Sequence, residues 1–408
     1  MDFNNLINKR SLAEGVVLNK SATEGVSLVV AGDFAPVGRA EEYILEEKEA
    51  FLLDEKIREE ILSSDLAMLN LECPLTSDQR QIVKDGPCIS AKPGTVRFLS
   101  QAGFHVAALA NNHILDRGAE GLWETMEACH KAGIATVGAG RNLEEAGRPL
   151  YLKRKDLLIA VIAVAEHEFG VAGKDTPGAN PADPIWSART VQQASIKADF
   201  VLVVLHGGNE YHPYPRPGLV NLCHFLVDHG AHAVVCHHPH VVGGMEIYKK
   251  APIVYSTGNF LFDVKGRQPN WYQGYLVRIE AARKRVNSFR VIPISQCAEG
   301  PGISALPQGE KEEMLDRIAG YSAVISDREA LQSSWEAFCQ SKRNGVLYNC
   351  LLPFRSLWIK KLLQKWPLVM KICMRKPKMV KLLNQVRCES HRELLIQILE
   401  QEIKNFEE

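Results

Sequence analysis

Side chains able to bind a metal or move a proton recur in this chain at one kind of place, the end of a short apolar run. Asp33 follows Leu-Val-Val-Ala-Gly, and Glu72 follows Met-Leu-Asn-Leu. Asn111, Asn112 and His113 follow Val-Ala-Ala-Leu-Ala, and His206 follows Val-Leu-Val-Val-Leu. His237, His238 and His240 follow Ala-Val-Val-Cys, while Asn259 and Asp263 follow Val-Tyr-Ser-Thr-Gly. A lone acid in such a position is usually a helix cap, and a lone histidine is usually a hydrogen-bonded structural residue. Recurrence at several run ends points instead to one shared site. Carboxylates mixed with imidazoles suit manganese, iron or zinc, whereas an all-oxygen set would suit magnesium or calcium. On an extended segment the His-x-His spacing would turn both His238 and His240 to the same side, because strand side chains alternate.

These groups meet only if the runs are neighbouring strands. Apolar runs at 26–31, 66–69, 106–110, 157–165, 200–205, 231–236 and 253–256 are continuous rather than alternating, as in strands buried on both faces. Between them, 41–63, 120–132, 186–197 and 218–228 carry helical patterns, with Asp116 placed to cap the second. Alternating strands and helices predict an α/β layered fold, in which ligands bind in loops beyond the carboxyl ends of the strands. Two further strands, 273–280 and 286–293, flank the turn-like Ala-Arg-Lys-Arg. Beyond about residue 310 the pattern is helical, cut by Pro353, Pro367 and Pro377. The expected organisation is an N-terminal extension over 1–25, a catalytic-type domain over 26–305 and a helical, basic extension over 306–408.

The 46% apolar and 24% charged composition is that of an ordinary globular protein, and the formal net charge of zero suggests no partner by itself. It hides an asymmetry. Residues 354–388 carry ten Lys and Arg and no acid, leaving 38 basic against 48 acidic residues elsewhere. Phe354, Leu357, Trp358, Leu362 and Val369 interleave with Lys360, Lys361, Lys365 and Lys371 in this run. Such a pattern suits a solvated helical appendage, with contact to an anionic membrane surface as the second reading and nucleic acid not expected. The ten cysteines show no C-x-x-C pair and read as buried, reduced thiols. Neither a secretory leader nor an apolar run of spanning length is visible, so the expected location is cytoplasmic, with peripheral attachment at the inner face of the membrane as the variant.

The segments VVAGDF (29–34), LNLECPL (69–75), LANNHILDRGAEG (109–121), LHGGNEYHPYPRP (205–217), CHHPHVVGG (236–244) and IVYSTGNFLFD (253–263) resemble, in order and near spacing, the CapA family of poly-γ-glutamate capsule synthesis proteins. That family is similar to the calcineurin-like metallophosphoesterases. The resemblance implies a four-layer α/β/β/α sandwich binding one or two divalent ions. It assigns Asp33 and His240 to a first metal, Glu72 to the bridging carboxylate, and Asn112, His206 and His238 to a second. His113 becomes the general acid or transition-state donor. Glu210 and Tyr211 become candidates for the substrate pocket, with Asn259 beside them, and Arg216 could meet an anionic substrate. His237 is expected to face away from the metals, and His105, His224, His229 and His232 to be structural. Two departures stand out. The usual Asp-x-His is here Asp33-Phe34-Ala35, and the second motif offers Glu72 where an Asp is usual.

The function expected from these residues is a metal-dependent, phosphoesterase-like hydrolase of CapA type, serving synthesis or export of an anionic capsule polymer such as poly-γ-glutamate. Its partners would be an anionic polymer or phosphoester substrate and capsule-synthase proteins. The alternative is a non-catalytic, metal-binding accessory of a polymer synthase. A further reading is a phosphoesterase of nucleotides or surface-polymer precursors that shares only the scaffold.

Overall fold

The computed structural model describes residues 4–19, 25–351, 376–387 and 389–405. Two sheets form its frame. The larger runs, in spatial order, Val16–Val17, Arg285–Gln296, Gln273–Ala282, Val26–Ala35, Leu66–Leu71, Val106–Ala108 and Ala135–Val137. Asn259–Phe262 joins it beside Val26–Ala35, and Ile303–Ala305 beside Arg285–Gln296. The smaller runs Met245–Tyr248, Ala251–Val254, Ala233–His237, Phe200–His206, Leu157–Ala165 and Leu150–Arg154. The central strands of both sheets are parallel, so each sheet delivers several carboxyl ends to one edge.

Burial alternates along the central strands of the smaller sheet. Phe200, Leu202 and Val204 join the core shared with the larger sheet, whereas Val201, Val203 and Leu205 join a second core. That second core holds Val191 and Ala194 of the helix Pro184–Lys197 and Leu219, Cys223 and Leu226 of the helix Pro217–Asp228. The larger sheet is likewise covered by helices, Phe98 stacking on Phe34 at 5.4 Å between ring centroids. The result is the expected α/β/β/α sandwich. Each apolar side chain taken fully out of water here contributes on the order of 1.5–3 kcal/mol.

Several local expectations change. The pattern over 41–63 does not make one helix but Arg39–Leu45, a 3-10 turn at Glu49–Leu52 and Glu55–Leu62. Glu47 interrupts it with a left-handed φ of 61°, and Asp54 starts the last piece by accepting a hydrogen bond from the Lys56 amide. Asp116 does not cap the helix Gly118–Lys131, whose N-cap position is Arg117 without a side-chain cap.

The chain divides into two compact units, Met1–Trp335 and Glu336–Glu408. The first therefore runs about thirty residues past the expected end at 305, because Met314, Leu315 and Ile318 of the helix Gln308–Ser326 bury into the main core. Its N-terminal part includes the helix Lys9–Glu14, with Leu12 buried, and Val16–Val17 pairs with the sheet. In the second unit the helices Lys376–Arg387 and Glu389–Asn405 pack on each other. Most of the basic run 354–388 lies outside the described residues. No helix among the described residues is long and apolar enough to cross a membrane. The described cysteines are free thiols, five of them buried: Cys73, Cys129, Cys223, Cys236 and Cys297.

Candidate metal centre

Strand register brings the first acid into the interior. Asp33 pairs with Asn70 on one side and Asn259 on the other. Its Oδ1 accepts from Asn70 Nδ2 at 2.8 Å, and its Oδ2 from the His238 amide at 3.2 Å. Glu72, one residue past the strand Leu66–Leu71, is fully buried, and no amide, hydroxyl or cationic donor reaches either carboxylate oxygen, whose close neighbour is the Asp33 carboxyl. Burial pushes the Asp33 carboxyl up to about 7 despite those donors. Burial, followed by the neighbouring Asp33 charge, raises Glu72 well above the usual carboxylate range. A buried carboxylate without donors is costly unless something cationic meets it. The donor set beside it, imidazole nitrogens and an amide oxygen, is that of a divalent metal site.

His206, the last residue of its strand, sits with Nε2 3.7 Å from Glu72 Oε1, 3.0 Å from Asn112 Oδ1 and 3.1 Å from His238 Nδ1. His240 places Nε2 3.5 Å from Glu72 Oε1, while its Nδ1 lies 3.0 Å from Asn259 Oδ1 and 3.5 Å from Asp33 Oδ2. Among the described residues, two groups have ligand atoms all within 4.8 Å of one another: Asp33, Glu72 and His206, and Glu72, His238 and His240. Glu72 is common to both. Within this cluster His206 Nε2 faces both Asn112 Oδ1 and His238 Nδ1, while His240 Nδ1 is the ring nitrogen beside Asp33 Oδ2. Burial holds these imidazoles neutral. His240 is pushed down to about 3, and His206 well below the usual histidine range. Neutral imidazole is the form that binds metal.

His238 and His240 converge, but not as alternating residues of an extended strand. The strand ends at His237, and both residues beyond it have left-handed φ, 99° at His238 and 58° at His240. Non-glycine residues held there carry local strain, which is tolerated where surrounding contacts over-determine the loop. Tyr211, also left-handed at 64°, donates its backbone N–H to Pro239 O at 2.9 Å and braces that loop. His237 turns to the other side, its Nδ1 3.1 Å from Thr257 Oγ1 and 3.6 Å from Asp33 Oδ1. It backs the acid from outside the cluster.

His113 belongs to a separate polar chain. Its Nδ1 is 2.6 Å from Asp116 Oδ2, and Lys84 Nζ reaches Asp116 Oδ1 at 2.6 Å and Asn112 O at 3.1 Å. The Lys84 side chain is only 3% exposed. Asp116 also accepts the Ile89 amide at 2.8 Å, so its buried charge is met on several sides. Sequence reading missed this role for Asp116 and missed Lys84 entirely. The i, i+3 spacing of His113 and Asp116 was the available signal.

At the rim, Glu210 is exposed, and Tyr211 Oη accepts from Arg267 Nη1 at 3.0 Å. The Arg267 guanidinium lies over Trp271, 4.8 Å from the ring centroid, and Trp271 lies 4.8 Å from the His240 ring. Asn259 is fully buried behind His240 rather than on an open pocket wall; its Nδ2 donates to Trp271 O at 3.1 Å. Arg216 is engaged by Glu166 at 2.6 Å, and Asp263 turns from the cluster to hold Arg39 in a two-point ion pair. Glu168, unremarked in the sequence, accepts from Asn112 Nδ2 at 3.1 Å. His105 and His232 accept backbone amides, and His224 and His229 meet Glu246 and Phe225 O.

The profile of the family described as "Bacterial capsule synthesis protein PGA_cap" matches residues 27–264, more than half of the chain. The chain is similar to the capsule biosynthesis protein CapA of Bacillus anthracis, 32% identical over 278 residues, covering 65% of this chain and 67% of the relative. The PGA biosynthesis protein CapA of Bacillus subtilis is 31% identical, covering 63% and 68% respectively. A probable polyglutamine synthesis accessory protein of Mycobacterium tuberculosis is 32% identical, covering 50% and 57%. Among solved structures, a novel phosphatase of Mycoplasma pneumoniae aligns at 15% identity with a TM-score of 0.43, covering 66% of this chain and 94% of that one. The extent of the profile match makes this chain a member of the PGA_cap family.

Proposed function

We propose that this member of the bacterial capsule synthesis family is a metal-dependent hydrolase of phosphoesterase type. Its substrate would be a phosphoester or related anionic compound used in making or exporting an anionic capsule polymer such as poly-γ-glutamate. The observation that carries the reading is Glu72: a fully buried carboxylate set against a second acid, Asp33, and ringed by the nitrogens of His206, His238 and His240. Asp33, Glu72, Asn112, His206, His238 and His240 would hold one or two divalent ions, with manganese, iron or zinc matching the donors. When bound, such ions supply Lewis-acid polarisation of an ester oxygen and a more acidic water.

The chain's own groups have separable tasks. Asp116 fixes the His113 ring through Nδ1, so that the ring presents Nε2 for a proton or hydrogen bond to a leaving-group oxygen. Lys84 ties Asp116 to the Asn112 carbonyl and so holds this pair against the cluster. Arg267, held by Tyr211 and Trp271, supplies a cation at the rim that suits an anionic substrate. The family suggests capsule-synthase proteins as partners, and the basic run 354–388 suits peripheral contact with an anionic membrane surface.

The test is metal content together with manganese-stimulated hydrolysis of an aryl phosphodiester by wild type, His113→Ala and His238→Ala. Bound metal, activity lost in both variants, and metal lowered chiefly in His238→Ala are expected. Bound metal without turnover of any ester favours the accessory reading, and no bound metal overturns the site. The accessory reading has one observation in its favour. Ala35 stands where an Asp-x-His motif would add an imidazole.

A further inference from the structure

Two of the side chains grouped around His206 Nε2 present opposite ends of themselves to two neighbours. Asn112 points Oδ1 at His206 Nε2, 3.0 Å away, and Nδ2 at Glu168 Oε2, 3.1 Å away. His238 points Nδ1 at His206 Nε2, 3.1 Å away, and Nε2 toward Glu168 Oε1, 3.8 Å away. One carboxylate thus faces the non-ligating nitrogen of both, while the atoms that can ligate face the cluster.

We infer that Glu168 is a positioning residue for the half of the site formed by Asn112, His206 and His238. It rests on the metal-binding reading above and deepens it by assigning which end of each side chain faces the ion. An asparagine amide has two ends of nearly equal shape, and only its oxygen is a metal ligand. An acceptor at Nδ2 selects the orientation that leaves Oδ1 toward His206. A neutral imidazole carries one N–H, and its partner decides which nitrogen has it. A carboxylate 3.8 Å away on the Nε2 side favours the N–H there through its charge and leaves the Nδ1 lone pair for the ion. Glu168 does not itself join the cluster, because it stands across the His238 ring from Nδ1.

The loop carrying Glu168 has a fixed base and an open tip. The Glu166 amide donates to His206 O at 2.9 Å, the Glu166 carboxylate takes Arg216 at 2.6 Å, and the Glu168 amide closes a tight turn on Glu166 O at 2.8 Å. The Glu168 side chain is 46% exposed. It therefore contributes little to packing, and its removal reads on the ligands rather than on the fold.

The experiment is Mn2+ binding to the full-length, chelator-stripped chain by calorimetry, with metal analysis and melting temperatures of the metal-free proteins. The proteins are wild type, Glu168→Ala and Glu168→Gln, with His238→Ala and His240→Ala as references that identify each binding event. Glu168→Ala is expected to weaken about 10–100-fold the event that His238→Ala abolishes, the usual effect of losing a partner that orients a ligand. The other event and the metal-free melting temperature should hold. Glu168→Gln, which keeps one acceptor oxygen, should fall between Ala and wild type. Unchanged binding in Glu168→Ala, equal loss of both events, or a lowered metal-free melting temperature overturns the inference alone. Wild type that binds no Mn2+ overturns the metal reading and this inference with it.

Discussion

His113 Nδ1 lies 2.6 Å from Asp116 Oδ2, and both side chains are buried beside a lysine drawn from a different loop. The pair gives His113 a fixed ring orientation and leaves Nε2 out of that contact. Asp116→Asn keeps the shape and removes the charge that holds the Nδ1–H. Turnover of an aryl phosphodiester should fall by about 10²–10⁴-fold, the range of a positioned general acid. Metal content should stay at the wild-type level. Loss of metal in parallel with activity would show that Asp116 supports the cluster instead.

Glu72 is the least satisfied group in the cluster, and its removal separates stability from binding. Glu72→Met replaces a buried carboxyl that no donor reaches with an apolar side chain. The metal-free protein should gain about 1–3 kcal/mol in urea denaturation with chelator present, the cost of an unsatisfied buried polar group. Manganese binding should be lost in the same variant. A metal-free variant less stable than wild type would mean that Glu72 has a partner and is not waiting for a cation.

His232 sets a pH dependence far from the cluster. Burial, and secondarily the charge of Lys284, push its imidazole down to about 4 from the ordinary histidine value of 6.5, while Nδ1 accepts the Val201 amide at 2.9 Å. A lowered histidine binds fewer protons folded than unfolded between those values. Its contribution is therefore whole above the unfolded pKa and is lost as pH falls through 6.5 toward 4. Moving from about pH 7.5 to about pH 5.5 should cost roughly 1 kcal/mol through this residue alone. The pH-dependent loss in His232→Asn should be smaller than in wild type by that amount. Equal losses in the two proteins would remove His232 from the account.

Gly32 allows the strand carrying Asp33 to lie against the segment carrying Asn259. A Cβ at Gly32 would meet the Gly258 carbonyl oxygen far inside normal contact, and that oxygen accepts the Asp33 amide at 3.2 Å. Gly32→Ala should therefore destabilise the protein by about 1–3 kcal/mol, as overpacking does. Manganese binding should weaken as Asp33 moves away from Asn259 and His240. A variant with wild-type melting and metal content would show that the two backbones can part without cost.

The runs ending at Asp33, Glu72 and His206 were legible because a parallel strand buried on both faces must be apolar throughout, so a polar residue at its end stands out. Their convergence followed from the general placement of sites at the carboxyl ends of parallel strands. The helix break near Glu47 was not legible, since helical spacing of side chains says nothing about one left-handed residue. Nor was the burial of the helix Gln308–Ser326, whose apolar positions find a surface made by distant strands.

What the sequence determined by itself was the layered α/β class and the inventory of ligand-type residues, because both depend on local periodicity and residue chemistry. Only the tertiary structure decided how they act. Lys84, Asp116 and Glu168 come from irregular loops, where no periodicity fixes direction and long-range hydrogen bonds place the side chain. His238 and His240 face the cluster through two left-handed residues rather than through strand alternation. Those φ values are held by the contacts of the folded loop, among them the His238 amide on Asp33 and the Tyr211 amide on Pro239, and a linear reading does not contain them.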